Sequence, residues 1–344
     1  MIVKQFIAAL LAMTLGVPGA YLFGPALPSP AQVPAGQAAW LADPTRLPDL
    51  SAAPAATVAA FFAGLPQGRA EELAGTFPDV VGNLDGAPAE LRYAANRRQS
   101  PRWTGRQILA LDLRGDGRIA EVLGDLRDAT RVTVLVPGVD DTLANFDTGH
   151  GGVLRRAPAW QGRQLYARMR ADQPGARVAV VVWLGYDPPE GVRREAFREE
   201  RATAGARALD RFVDGLVVGR PGLAVTVVGH SYGSTVAGVA AHGLNERVTD
   251  IVAIGSPGMG ADSAADLQTS ARIWAGTAPG DWTRRLPGVR LLGAGHGRLP
   301  IDPAFGALPL PCGNVDGHDG YFEPGSAALQ AMASIGSAPA GDPR

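Results

Sequence analysis

From Ile108 onward the chain alternates between two hydrophobic patterns. Short β-branched or apolar runs recur at Arg131-Val-Thr-Val-Leu-Val136, Val178-Ala-Val-Val-Val-Trp-Leu184, Ala224-Val-Thr-Val-Val228, Ile251-Val-Ala-Ile254 and Ala271-Arg-Ile-Trp-Ala275. Between them lie stretches with apolar residues at helical spacing, at 157–171, 193–217 and 234–244, and a last one at 326–335. Runs that are apolar on successive residues predict strands buried on both faces, as in a mostly parallel sheet with helices on either side. An earlier pair, Ile108-Leu-Ala-Leu-Asp-Leu113 and Ile119-Ala-Glu-Val-Leu123, is joined by the turn Arg114-Gly-Asp-Gly-Arg118 and predicts an antiparallel return. Val289-Arg-Leu-Leu292 is one more candidate strand.

The pattern before Ile108 is different. Residues 55–105 carry helical spacing, as in Val58-Ala-Ala-Phe-Phe-Ala-Gly-Leu65 and Pro88-Ala-Glu-Leu-Arg-Tyr-Ala-Ala-Asn-Arg97. They offer few large apolar residues for a core of their own and are expected to pack on the main domain. Residues 32–54 are Pro- and Ala-rich and read as a linker. Residues 1–31 have a short basic start and an apolar run from Gln5 to Phe23, the layout of an export signal. Cleavage is expected near Ala31 or Ala26, and an uncleaved run would tie the chain to a membrane through residues 5–23. Either outcome puts the catalytic part, 106–344, in a secreted or cell-envelope location.

The most informative stretch joins both patterns. The run Leu223–Val228 drives into Gly229-His-Ser-Tyr-Gly233, and a small-residue helical run follows at once. This is G-x-S-x-G between a strand and a helix, the context in which a serine is lifted onto a sharp turn as a nucleophile. Gly229 and Gly233 remove side chains that would collide there. The N–H of Tyr232 opens the helix and can face a developing oxyanion.

A serine hydroxyl needs a base to take its proton, and histidine suits that task near neutrality. With this elbow the chain order is nucleophile, acid, base. Of the five histidines, His150 precedes the serine, His230 adjoins it with its side chain expected to point away, and His242 lies along the following helix. His318 sits in the glycine-bounded loop Asp316-Gly-His-Asp-Gly-Tyr-Phe322 before the last helix, where an imidazole can overhang the serine. His296, in Gly293-Ala-Gly-His-Gly297, is its rival. Asp281 follows a predicted strand and precedes His318, so it is the candidate acid; Asp262 and Asp266 are weaker ones. The second oxyanion donor is expected from the loop Pro137-Gly-Val-Asp-Asp-Thr142, at the N–H of Gly138 or Val139. Asp140 and Asp141 would organise that loop. Tyr186 and Asp187, at the end of another strand, are candidate substrate contacts on the rim, with His230 a further one.

Composition narrows the field. The chain has 344 residues, 46% hydrophobic, enough for a large α/β core. A formal net charge of −1 offers no field to gather nucleic acid. Cys312 is the one cysteine, and no paired-Cys or His-x-x-x-His pattern suggests a metal. No cofactor is expected.

With these residues in place the chain resembles an actinobacterial α/β-hydrolase family long catalogued as a domain of unknown function. The likeness is carried by Leu84-Asp-Gly-Ala-Pro88, Ala95-Asn-Arg97, Leu135-Val-Pro-Gly138, Trp183-Leu-Gly-Tyr-Asp-Pro188, Gly229-His-Ser-Tyr-Gly-Ser234, Gly255-Ser-Pro-Gly258, Asp302-Pro-Ala-Phe-Gly306, Gly317-His318 and Tyr321-Phe322. It covers most of residues 80–325. The resemblance implies the α/β-hydrolase fold and a triad of Ser231, Asp281 and His318. The chain departs from the family at the acid, where it has Gly280-Asp281-Trp282 in place of Asn-Asp-Pro, and at His318-Asp-Gly-Tyr in place of His-Ser-Asp-Tyr. The expected function is an exported serine hydrolase cleaving a small or lipid-like carboxylic ester. An amidase, peptidase or thioesterase with the same triad, and an inactive hydrolase-like binding module, remain open.

Overall fold

The computed structural model describes residues 35–191, 194–290 and 295–338. The leader read at residues 1–31 lies outside them. Among the described residues no helix is long and apolar enough to cross a membrane.

Eight strands form one sheet: β1 Gln107–Asp112, β2 Arg118–Leu123, β3 Arg131–Val136, β4 Val178–Leu184, β5 Ala224–His230, β6 Val248–Ile254, β7 Arg272–Gly276 and β8 Leu308–Pro309. Their spatial order is β1-β2-β4-β3-β5-β6-β7-β8. The contacts β1/β2 and β2/β4 are antiparallel, and all others are parallel. The α/β architecture read from the pattern is therefore present, including the antiparallel return. β8 was not anticipated, because two edge residues leave no hydrophobic run. Val289 and Arg290 lie in no strand, and the rest of that candidate falls outside the described residues.

β4 explains the layering. All seven of its residues are buried. Ala179, Val181 and Trp183 join the core on one face, and Val178, Val180, Val182 and Leu184 the core on the other. Period-two alternation with both faces apolar is what a central parallel strand requires. The first face is covered by α7, Glu200–Val217, and α8, Tyr232–Ala240; the second by α6, Pro158–Asp172, and α9, Ala327–Ser337. In α7 the buried positions Ala202, Gly205, Ala206, Leu209, Phe212, Val213 and Leu216 form one stripe at helical spacing.

The N-terminal part supplies α1 Gln37–Leu41, α2 Ala55–Ala63, α3 Gln67–Thr76, α4 Pro78–Val81 and α5 Ala89–Gln99. It has a cluster of its own around Trp40, Val58, Phe62, Leu73 and Val81, larger than its spacing suggested because Trp40 and Leu50 come from the stretch read as linker. This part also caps the sheet edge. Asn83 bonds both backbone groups of Leu111, at 2.7 and 2.9 Å, and Asn96 donates to the Ile108 carbonyl at 2.9 Å. Open strand groups that would invite pairing with another chain are thus satisfied.

Around β3 the chain order reverses: β4 lies on one side and β5 on the other. Loops leaving β3 and β5 diverge there and leave a crevice at the carboxyl ends of the strands, where α/β sheets hold ligands.

Candidate active site

Ser231 sits at this crevice, between β5 and α8. Its backbone has φ 53° and ψ −127°, a conformation that a side chain makes costly, of order 1–3 kcal/mol. Neighbouring bonds hold it. The Ser231 N–H donates to the Ile254 carbonyl at 3.0 Å, and the Ser231 carbonyl accepts from the Ser234 N–H at 3.0 Å and the Ser234 hydroxyl at 2.6 Å. Ser234 Oγ in turn accepts from the Ser256 hydroxyl, 2.7 Å away. The turn can close because Gly233 carries no Cβ: one added there would lie 2.2 Å from the Val136 carbonyl oxygen. Gly138 has a similar reason, since a Cβ there would lie 2.8 Å from that of Ser231. The loop after β3 can therefore lie directly against the serine.

Asp281 and His318 meet as expected. His318 Nδ1 is 2.9 and 3.0 Å from the two Asp281 carboxylate oxygens. Asp281 is buried and also accepts from the Thr283 N–H and hydroxyl, each at 2.8 Å, and from the Tyr321 hydroxyl at 2.5 Å. Burial alone would push this carboxyl up, but the bonds from His318, Tyr321 and Thr283 outweigh it and hold it well below the ordinary carboxylate range. An ionised carboxylate can only accept, so Nδ1 carries the hydrogen and the neutral ring keeps Nε2 as a bare acceptor. Ser231 and His318 line the same cavity, of about 260 Å³.

The rival assignments separate cleanly. His296 is buried elsewhere; its Nε2–H donates to the Ala196 carbonyl at 2.7 Å, and its ring packs edge-on to Tyr232. Asp262 accepts from the Arg298 N–H and Asp266 from the Ser263 hydroxyl.

Three expectations need correction. Tyr186 is buried: its hydroxyl donates to the Pro137 carbonyl at 2.7 Å and its ring stacks between Trp183 and Tyr232. It supports the loop after β3 from below and does not line the cavity. Asp187 is ion-paired with Arg201 and does not line it either. Side-chain direction at the strand end, which alternation alone does not set beyond the last ladder pair, decides both. His230 does reach the cavity, but not by pointing away: its Nε2–H donates to the His318 carbonyl at 2.9 Å, with the two rings 4.9 Å apart. Burial and the nearby His318 press its pKa down to about 4, so it is a neutral prop under the histidine loop.

The oxyanion side is narrowed as well. The Gly138 N–H is taken by the Asp141 carboxylate at 3.2 Å, which removes Gly138 as a donor and leaves Val139 in this loop. Tyr232 is the first residue of α8, where backbone N–H groups have no partner within the helix. Asp140 organises the loop, as read: its N–H donates to the Pro189 carbonyl, and its carboxylate accepts from the Gly191 N–H at 2.6 Å.

Other cavity residues were missed. His150, Arg156 and Gln161 come from the segment running from β3 into α6, and Trp282 and Asp319 each follow a predicted triad member. The two neighbours of triad residues could have been found by adjacency. The first three had no signal, because a loop and a helix start reach the serine only through the fold.

A family model described as alpha/beta hydrolase matches residues 112–291, more than half of the chain. The chain belongs to this family and is a hydrolase of the α/β-hydrolase fold. Uncharacterized protein Rv2079 of Mycobacterium tuberculosis is 30% identical over 253 residues, covering 65% of this chain and 37% of that protein. Uncharacterized protein Rv0963c of the same organism is 32% identical over 169 residues, 47% of this chain and 62% of its own. The chain thus spans little more than a third of the length of the first relative. Among solved structures it is similar to a dienelactone hydrolase from Anabaena variabilis, at 18% identity and a TM-score of 0.38, covering 64% of this chain and 89% of that one. A carboxylesterase from Mesorhizobium loti matches at 16% identity and 0.38, covering 65% and 96%.

Proposed function

We propose that this chain hydrolyses a carboxylic ester through an acyl-enzyme on Ser231. The observation that carries the reading is that His318, on the wall of the cavity that Ser231 lines, has its Nδ1 2.9 Å from the buried Asp281 carboxylate. The Ser231 hydroxyl oxygen attacks the ester carbonyl while His318 Nε2 takes its proton. Charge moves to the carbonyl oxygen, toward the N–H groups of Tyr232 and Val139. Collapse breaks the bond to the alcohol, which leaves with the proton from His318. Water then attacks the acyl group, His318 accepts its proton and returns it to Ser231, and the acid departs. Asp281 keeps the imidazole in the required tautomer and balances the imidazolium. An amide or thioester could follow the same path; an ester is preferred over an amide because an alcohol leaves more readily than an amine.

A fluorophosphonate probe tests the nucleophile. It should label the wild-type chain at one site, and Ser231→Ala should lose both labelling and hydrolysis, by about 10⁴-fold or more in rate, with its melting temperature kept. A Ser231→Ala chain that still labels would remove Ser231 from the mechanism. A wild-type chain that never labels would favour a binding module.

A further inference from the structure

The walls of the Ser231 cavity are unequal in chemistry. Val139 and Trp282 are the apolar side chains among its described lining residues. Neither forms a channel leading from Ser231 in this open cleft of about 260 Å³. A long acyl chain gains affinity only where each methylene is buried against apolar surface. Among the described residues no such surface extends from Ser231.

The remaining wall is polar. Arg156 Nε donates to Asp319 at 2.7 Å, so those charges offset each other. Asp140 accepts the Gly191 N–H. Asp141 is buried and accepts the Gly138 N–H at 3.2 Å, and burial with Asp140 and Asp319 nearby pushes its carboxyl well above the ordinary carboxylate range. His150, His230 and His318 are the other titratable groups facing this space. Gln161 is 3% exposed, and its amide nitrogen donates to the Arg155 carbonyl at 3.0 Å. That bond fixes the amide's orientation and leaves Oε1, a buried acceptor, with no partner among the described residues. Trp282, half-buried, sets its ring 5.1 Å from that of His318 and offers a flat apolar face amid these polar groups.

We infer that the substrate is a short-acyl ester, acetyl-sized, of a polyhydroxylated alcohol. The ester carbonyl meets Ser231, the small acyl group lies by Val139, and the hydroxyls of the alcohol meet the wall carrying Asp141 and Gln161. The C–H face of a ring or polyol chain lies on Trp282. An anionic substrate gains little, because Asp140, Asp141 and Asp319 stand against Arg156 as the one arginine or lysine among the described lining residues. This rests on the reading of Ser231 as nucleophile.

The test uses the full chain and simple esters. On p-nitrophenyl acetate, butyrate and octanoate, kcat/KM should be highest on acetate and at least about tenfold lower on octanoate. A rise toward octanoate would overturn the short-acyl part. On glycerol 1-monoacetate, which keeps two free hydroxyls, kcat/KM should be about tenfold higher than on ethyl acetate. Equal values would overturn the polyhydroxyl part. Gln161→Leu should narrow the glycerol-ester preference at least about threefold, and an unchanged preference would remove Gln161 from recognition. Fluorophosphonate labelling of each preparation separates the two levels. A chain that labels at Ser231 but prefers long acyl groups refutes this inference alone, whereas one that never labels refutes the nucleophile.

Discussion

The elbow around Ser231 and the corner around Asp281 are two halves of one site built in opposite ways. The elbow is backbone: six consecutive residues, 229–234, with carbonyl and N–H groups closing the turn and Gly233 lying where a Cβ would meet the Val136 carbonyl at 2.2 Å. The corner is side chain. Asp281, Thr283, His318 and Tyr321 come from two loops, with His318 37 positions after Asp281, and meet through hydrogen bonds of 2.5–3.0 Å. A backbone device is short in sequence and tolerates little change without disturbing the sheet. A side-chain device can be taken apart one bond at a time, and its chemistry can be altered while the fold persists.

Asp281→Asn should break the corner most severely. It keeps the shape but removes the charge and lets the His318 ring adopt the wrong tautomer, so turnover should fall by about 10⁴-fold. The carboxylate accepts bonds from Thr283, Tyr321 and His318, so the amide should also cost stability, about 1–3 kcal/mol. Steady-state kinetics with urea unfolding would check both. Activity within tenfold of wild type would mean that another group serves the histidine.

His230 is where the halves touch, since it belongs to the elbow and bonds the carbonyl of His318. Its pKa is lowered from 6.5 to about 4 in the fold, first by burial and then by His318. The unfolded chain therefore binds a proton below about pH 6.5 that the native chain refuses until about pH 4, and stability falls with pH across that window. From about pH 7 to about pH 4.5 this histidine should account for about 2 kcal/mol of loss. Urea unfolding of wild type and His230→Gln at both pH values isolates it, because the variant should lose that much less. Equal slopes would mean that His230 is solvated, and that the halves are not joined through it.

The same contrast explains what could be read in advance. β3 to β7 were legible because strands buried on both faces are written as continuous apolar runs, as in Val178–Leu184. The elbow was legible because all of its requirements fall within six residues. Asp281 and His318 were reached through chain order and loop position, with His296 still standing as a rival until the fold buried it against Tyr232. Tyr186 was misread because a strand-end residue was taken to face the rim, whereas its ring fills a slot between two other aromatic rings. Gln161 and Arg156 could not be read at all: nothing local distinguishes a helix start that faces a cavity from one that faces solvent. β8 escaped because two residues carry no pattern.

The smallest expected effect sharpens the comparison most, because it alters the corner by one oxygen atom. The Tyr321 hydroxyl donates to Asp281 at 2.5 Å and accepts the Ala278 N–H at 3.0 Å, while its ring is fully buried. Tyr321→Phe keeps the ring and deletes both bonds. The carboxylate loses one donor but retains Thr283 and His318, so it should stay ionised and remain aimed at the imidazole. Tyr321 is then a positioning residue, and kcat should fall about tenfold with KM little changed, equivalent to about 1.4 kcal/mol. Stability should fall by about 1–2 kcal/mol, since a buried N–H is left without its acceptor. Removing one donor also makes Asp281 easier to protonate, so the acid loss of activity should begin at higher pH than in wild type. A purely structural role would lower the melting temperature and leave the pH profile where it was. If kcat fell as far as in Asp281→Asn, the hydroxyl would be as necessary as the charge, and the corner would behave as one unit rather than as bonds that can be removed singly.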